Sequence, residues 1–590
     1  MASIVGKTIN GQTYYYLREV ARVRGKPKVV SQRYLGKAAD IEAAVAGATV
    51  LPDRTRHLAF GDVAAVWSVL GRLRVAEIID EVVGPRRSDA GASVEERLHL
   101  LCPRVEVAAP RRSDAGASVG TYIALATLNR ICDPCSKLAF SDWWGKTAAD
   151  RWSHLPAGAL DHRRFWEAMG LLDEERLKEA ERRIVAHMVE AFGVELTGLA
   201  LDMTNFATWI ASSNEKAPIA QRGHSKQKRS DLRIVGLGLV VSTDGGIPLV
   251  SHPYPGNRPD VTQFPEMVKE MARRFAHLLG EGATLAGRLT LVFDAGQNSD
   301  DNFELLDSVP FHFVGSLPPS DHPELLAVPK SAYEPVEGFS GLMAYESEKM
   351  VFGKARRIVV THSEVLHEKQ SAGFDQTLAK ARRQLSQVQA RLARAKTRKE
   401  KQKVEAEVAN ILRPRWLSRV VSVALTGEKP SELRLRYQTS QRARAALEEE
   451  IFGKRVLVTD KGKDLAPTAV IVADYRSQEA AEEDFRQMKD PSVVSFSPMY
   501  HWTDQKIRAH AFYCVLALMA ARLMVREAER AGMHMSVREL LGALAGIEET
   551  VLLYQGERGR PRAKRVTTEM DGTQKRLYDI FGLATYAPKP

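Results

Sequence analysis

Between residues 196 and 294 the chain sets out four apolar runs and one amphipathic run in a fixed order, and this order constrains the fold most. Residues 196–203 are apolar and end near Asp202. Residues 232–241 and 247–252 follow, separated by the turn Asp244-Gly245-Gly246. Val261, Phe264, Val268, Met271, Phe275 and Leu278 then recur at helical spacing. Residues 289–293 form a last buried run that ends in Asp294. The order is β-β-β-α-β. It predicts an α/β (α+β) multidomain chain built on a ribonuclease-H-like core, in which the first and fourth strands are neighbours and Asp202 and Asp294 meet at their ends.

Two carboxylates held together repel unless a cation sits between them. A pair of Mg²⁺ ions clamped by acidic side chains is a general solution for in-line displacement at a phosphodiester. Mg²⁺ takes oxygen ligands and keeps several waters, so two or three carboxylates suffice. A lone Asp at a strand end is as readily a turn cap, so the reading needs a third acid. Glu482 supplies it. On a helix through 475–489, Ala481, Phe485 and Met488 make a buried stripe, and Glu482, Arg486 and Lys489 make an adjacent one. The plainer alternative for that second stripe is a surface salt-bridge ladder.

Charge bears on the partner. The 590 residues carry 84 Lys+Arg and 73 Asp+Glu, a formal net charge of +11. Residues 6–38 hold Lys7, Arg18, Arg22, Arg24, Lys26, Lys28, Arg33 and Lys37 against Glu19 alone, and residues 380–403 hold ten basic residues against Glu400 alone. These two segments account for more than the whole excess, so the remainder is mildly acidic. In 13–24, Tyr15, Leu17, Ala21 and Val23 alternate with Tyr14, Tyr16, Arg18, Val20, Arg22 and Arg24, which predicts a strand; 28–35 returns as the second strand of a hairpin. Interleaved Tyr and Arg suit a phosphate-tracking face as well as a solvated one. In 376–412, Leu378, Leu385, Val388 and Leu392 form a short heptad-like stripe with the basic residues mostly off it. This predicts a basic helix or helical hairpin facing an anion.

Other classes recede. Four cysteines do not make a disulfide framework. Cys132 and Cys135 have no second pair with which to hold zinc and read as a helix-end turn. No apolar run resembles a signal peptide or reaches the roughly 20 residues of a membrane span, so a cytoplasmic, nucleoid-associated protein is expected. The stretch 282–288 lacks the Lys-Ser/Thr of a phosphate loop, which disfavours a nucleotide-driven motor. The segment PRRSDAGASV occurs at 85–94 and again at 110–119, too few copies for a solenoid, and reads as a local duplication in a surface loop.

The segments LALDMTNF, LVFDAGQNSDDNFELL and YRSQEAAEEDFRQMK resemble the three acidic motifs of DDE transposases of bacterial insertion sequences. The likeness is to the insertion sequence 4 superfamily, marked by Tyr-x2-Arg-x3-Glu-x6-Lys, and within it to the insertion sequence 1634 type. Tyr475, Glu482 and Lys489 occupy signature positions; Gln478 stands where the signature has Arg, with Arg476 or Arg486 available to substitute. NRICDPCSK, RGHSKQKRSDLR, YPGNRPD and PMYHWTDQKIRAHAF also resemble that type, whereas the second PRRSDAGASV copy does not fit it.

The resemblance implies that Asp202, Asp294 and Glu482 hold two Mg²⁺ ions, with Mn²⁺ as the alternative. It implies that Tyr475 and Lys489 grip a phosphate, and that Arg476, Arg486, Arg18, Arg22 and Arg24 join the DNA surface. The partners implied are double-stranded transposon ends and target DNA, bound by a homodimer without ATP and without a membrane. The implied divisions are a basic hairpin region at 1–75 and a helical DNA-binding region at 76–190. The core would occupy 191–305 and 456–530 around an insertion at 306–455, and a helical tail would occupy 531–590. A metal-dependent nuclease that does no strand transfer, or an inactive DNA-binding relative, is the alternative.

Overall fold

The computed structural model describes residues 2–9, 12–23, 26–47, 52–84, 116–155, 157–226, 229–279, 289–394, 399–554 and 562–589. The chain is a mixed α/β protein of two compact units. The larger comprises Val66–Ser141 and Leu155–Arg538; the smaller gathers Met1–Ala65, Asp142–His154 and Glu539–Pro590.

A nine-stranded mixed sheet organises the larger unit. Its first five labelled strands are β1 (Gly198–Thr208), β2 (Arg233–Ser242), β3 (Pro248–Pro255), β4 (Thr290–Phe293) and β5 (His312–Leu317). Gly245 and Gly246 take positive φ in the turn between β2 and β3, a backbone that side chains with a Cβ resist. The strands lie in the order β3-β2-β1-β4-β5; β1 to β3 are antiparallel neighbours, and β4 and β5 run parallel to β1. The first and fourth strands are therefore side by side, as their order in the sequence predicts.

Helix α1 (Phe264–Leu279) returns the chain between β3 and β4, and α2 (Asp300–Ser308) between β4 and β5. Phe264, Phe293, Phe303 and Phe313 from these elements meet ring to ring at 5.2–6.0 Å, largely edge to face, and fix the helices on the sheet.

The sheet continues past β5 through β8 (Lys454–Thr459), β7 (Lys354–Ser363), β6 (Leu342–Val351) and the two-residue strand Glu334–Pro335, all antiparallel. The insertion expected at 306–455 is thus partly sheet. Between β7 and β8 stand α3 (Glu364–Ala393), α4 (Lys401–Leu412), the hairpin Val421–Thr426/Arg434–Thr439 and the helix Gln441–Ile451. Leu378, Leu385, Val388 and Leu392 of α3 are buried with Phe374 and Ala381, and Val404 and Val408 of α4 are buried as well. The basic segment is thus carried by two helices. Arg391 and Lys399 pair with Glu407, and Lys401 with Glu428. Among the described residues Lys380, Arg382, Arg383 and Arg394 make no ion pair.

Three further helices complete the frame of the site: α5 (Thr468–Arg476), α6 (Gln478–Met488) and α7 (Asp504–Arg530). Helix α7 is long and apolar enough to cross a membrane, but 89% of that window is buried inside the unit.

In the smaller unit the expected hairpin has a third strand: Ala2–Ile9 pairs with Gln12–Val23, which pairs with Lys26–Gly36. Bulges at Tyr15/Tyr16 and Glu19/Val20 interrupt the strict alternation read from the sequence. Arg18 bonds its cross-strand neighbour Gln32 at 2.9 Å; Arg22 lies in the strand with its side chain outside the described residues, and Arg24 lies outside them altogether. The expected helical tail is a correction. Glu548–Tyr554 and Arg562–Thr567 form a sheet with Arg54–Ala59, because Val551 and its neighbours find a partner strand some 490 residues earlier in the chain. Of the two PRRSDAGASV copies, all but the last residues lie outside the described residues. Cys132 ends the helix Val119–Cys132, and Asn129 bonds the Asp133 carbonyl and the Cys135 Sγ at the turn.

Candidate active site

Asp202 sits in the middle of β1, not at its end. The residues after it stay extended because β2 pairs with β1 as far as Thr208↔Arg233. Strand β4 is shorter and stops at Phe293, so Asp294 follows it with extended backbone, φ −91° and ψ 163°. The parallel register Ala200↔Val292, continued by two residues, brings Asp202 and Asp294 level on strands about 4.8 Å apart, on the same face of the pleat. Asp294 is held: its Oδ1 accepts from the Ala295 N–H at 2.7 Å and from Ser316 Oγ of β5 at 2.8 Å. Asp202 Oδ1 accepts from the Met203 N–H at 2.7 Å.

Glu482 comes from α6. Ala481, Phe485 and Met488 are buried, and so is Asp484, whose carboxylate meets Arg522 of α7 at 2.5 Å. That ion pair holds one side of α6, leaving Glu482 exposed on another. The three acids share one electrostatic field: burial pushes the Asp202 carboxyl up to about 6, Lys226 and the Met203 N–H oppose it, and Glu482 and Asp294 add to it. Among the described residues no three His, Cys, Asp or Glu side chains converge closely enough to hold a metal ion as they stand. The parallel register brings Asp202 and Asp294 level, and Glu482 stands near enough to raise the Asp202 carboxyl. As an all-oxygen donor set of exposed or half-buried carboxylates, they fit Mg²⁺.

Cations border the acids. Lys489 Nζ donates to Thr204 Oγ1 at 2.8 Å, two residues along β1 from Asp202, and lies 5.7 Å from the Phe206 ring. Burial and Lys226 lower its pKa, against Asp202. Lys226 pairs with Asp260 at 3.1 Å and donates to the Met203 carbonyl. Asn205 secures this segment by accepting from the Lys226 N–H at 3.0 Å and donating to the His224 carbonyl at 3.0 Å. Tyr254 donates to Asp260 at 2.6 Å, and its phenol is raised far above 10, chiefly by burial and then by Asp260. Asn205, His224, Lys226, Tyr254 and Asp260 line a cavity of about 370 Å³.

Lys226, Tyr254, Asp260 and Ser316 lie outside the three acidic motifs that the sequence singles out. The first three stand in RGHSKQKRSDLR and YPGNRPD, so the local signal for these three is present in the sequence. Tyr475, expected to grip phosphate, is 9% exposed. It shares a hydrogen bond with Ser316, and burial raises its phenol. It packs in the core cluster around α5, and Ser316 in turn donates to Asp294. Arg476 stacks over Phe339 at 4.6 Å, and Arg486 pairs with Glu483 at 2.6 Å while 72% exposed. Gln478 is buried at the start of α6.

No known family profile matches the sequence, and no curated protein does. Among solved structures the chain is similar to the cryo-EM structure of a piggyBac transposase synaptic complex with hairpin DNA, at 9% identity and a TM-score of 0.36 over 84% of this chain and 82% of that one. At that score the likeness fixes no correspondence between elements, and the functional reading rests on this chain's own geometry.

Proposed function

We propose that the protein is a DNA transposase with a ribonuclease-H-like core, in which Asp202, Asp294 and Glu482 hold two Mg²⁺ ions for cleavage at transposon ends and transfer of the freed strand. The observation that carries this is the parallel register of β1 and β4, which sets Asp202 level with Asp294 while Glu482 acts on Asp202 from α6. The bound ions would supply activation of water or a 3′-hydroxyl and stabilisation of charge on the phosphorane. The chain's own groups do the rest. Ser316 and the Ala295 N–H orient Asp294; Tyr475 braces Ser316; Asp484 with Arg522 fixes the face that α6 turns to the site. Lys489 and Lys226 place positive charge beside the acids, where a phosphate would lie.

The strand order β3-β2-β1-β4-β5, with a helix between β3 and β4, supports the core assignment. The cations on and just after α3 that make no ion pair among the described residues support DNA binding by the insertion, and a homodimer holding the two ends is part of the proposal. The test is to incubate the protein with element ends, target DNA and Mg²⁺. Excised and joined products are expected. Cut but unjoined DNA would reduce the activity to that of a nuclease, and intact DNA at every divalent ion would sink the proposal.

A further inference from the structure

Past the acids, β1 runs on to Thr208 and delivers Trp209 to a cleft of about 610 Å³, within the usual range of ligand sites. Three large aromatic side chains stand open to water there: Trp209 at 73%, Tyr500 at 68% and Trp502 at 54% exposure. Apolar surface gathered in one place marks a site of interaction more often than scattered exposure does. Two of these rings carry cations on their faces, Arg229 over Trp209 and Lys216 over Trp502, each at 5.2 Å.

The cleft is built rather than slack. Buried Arg233 donates to the carbonyls of Ala211, Asn214, Ala217 and Ala220, stapling the segment that forms one wall. Asn214 donates to the Trp502 carbonyl at 2.8 Å, and Asp504 accepts from the Ile219 N–H at 2.7 Å, tying that wall to the other. The rings are therefore presented by a preorganised frame. Glu215 also lines the cleft, against the charges of Lys216 and Arg229.

Exposed aromatic faces bordered by cations match the chemistry of unpaired nucleobases, which stack on any flat ring while the backbone follows positive charge. The strand itself joins the acids to the cleft: Lys489 sits on Thr204, buried Phe206 stacks on Phe496 at 4.1 Å, and Trp209 follows the end of β1. The seven residues from Asp202 to Trp209 span roughly 23 Å of strand, a few nucleotides of an extended chain. We infer that this cleft is a stacking platform for unpaired DNA, receiving bases of the strand that flanks the cleavage point. The inference rests on the reading of the acidic site as a DNA-cleaving centre for its DNA partner, but its test does not require cleavage.

A fluorescent oligothymidylate and a duplex of equal length are titrated in parallel against the full chain. Trp209→Ala and Trp502→Ala should each weaken single-strand binding by about 5- to 150-fold, the effect of removing one stacking partner. Trp209→Phe and Trp502→Phe should restore most of it, and duplex affinity should change little. Both rings are exposed, so circular dichroism of the alanine variants should match the parent. Unchanged single-strand binding in both alanine variants, or an equal loss for duplex, would overturn the platform. Binding is read in chelator, where no metal-dependent cleavage occurs, so a failure of cleavage and a failure of stacking are read separately.

Discussion

Asp202→Asn should make the metal-free protein more stable at neutral pH while abolishing cleavage. Burial moves the Asp202 carboxyl from 3.8 up to about 6. Above pH 6 the folded chain holds an ionised carboxylate in surroundings that penalise its charge, and the displacement corresponds to roughly 3 kcal/mol. The sign follows from the direction. The folded value exceeds the unfolded one, so the stabilisation from this group is complete below about 3.8 and is lost as pH rises through about 6. Asparagine has the same shape and no charge to desolvate, and Lys226 keeps Asp260 and the Met203 carbonyl as partners. The assay is thermal unfolding in chelator from pH 4 to pH 8. At pH 7.5 the variant should melt about 2–3 °C above the parent, given the unfolding entropy of a unit of several hundred residues. The gap should close as pH falls to 4. Mg²⁺ at pH 7.5 should then raise the parent's melting temperature and leave the variant's nearly unchanged. Equal melting at pH 7.5, or a gap that persists at pH 4, would refute the account of Asp202 as a carboxylate held against its environment.

Asp294→Asn and Glu482→Gln should each abolish cleavage of element ends while gel-shift binding of those ends persists; cleavage retained by either removes that residue from the site. Arg522→Met leaves Asp484 buried without its partner and should cost about 3–5 kcal/mol in chemical denaturation, with cleavage falling although no acid of the site is touched. Adding Asp484→Leu should recover much of that stability, and no recovery would show that the pair does not anchor α6. Neutralising Lys380, Arg382, Arg383 and Arg394 to Gln should flatten the salt dependence of DNA binding, by a log–log slope of about 0.9 for each phosphate that these side chains neutralise in the parent. An unchanged slope places α3 off the DNA.

Where periodicity and chemistry coincide, the sequence was enough. The runs at 232–241 and 289–293 are buried on both faces, so they read as strands without knowledge of their neighbours. The stripe Ala481, Phe485, Met488 was legible for the same reason. What failed depends on distant partners. Thr204, Asn205 and Thr208 look like the start of a loop after Asp202, yet β2 pairs with all of them and carries the strand on. The strands at 548–554 and 562–567 need Arg54–Ala59 as a neighbour, and no local pattern announces it. The burial of Tyr475 against the core around α5, with Ser316 as its hydrogen-bond partner, is likewise visible only in the fold. Lys226, Tyr254 and Asp260 are joined across 34 residues by hydrogen bonds that only the fold creates.

The long excursion between Asp294 and Glu482 need not disturb the site, and the sheet shows why. The chain leaves it after β7 and re-enters at β8, and these two points are adjacent: His362 pairs with Lys454, and the Ser363 N–H donates to the Gly453 carbonyl at 2.9 Å. An excursion that departs and returns at neighbouring positions costs the sheet little whatever its length, because closure entropy grows only slowly with the number of residues enclosed. Strand β8 then lies beside β5, which carries Ser316, and α5 and α6 follow β8 directly. The position of Glu482 is thus set by β8, α5 and the Asp484–Arg522 pair. The helices inserted between β7 and β8 are free to differ in length and charge, which would suit the DNA-following role proposed for them while Asp202 and Asp294 stay in register.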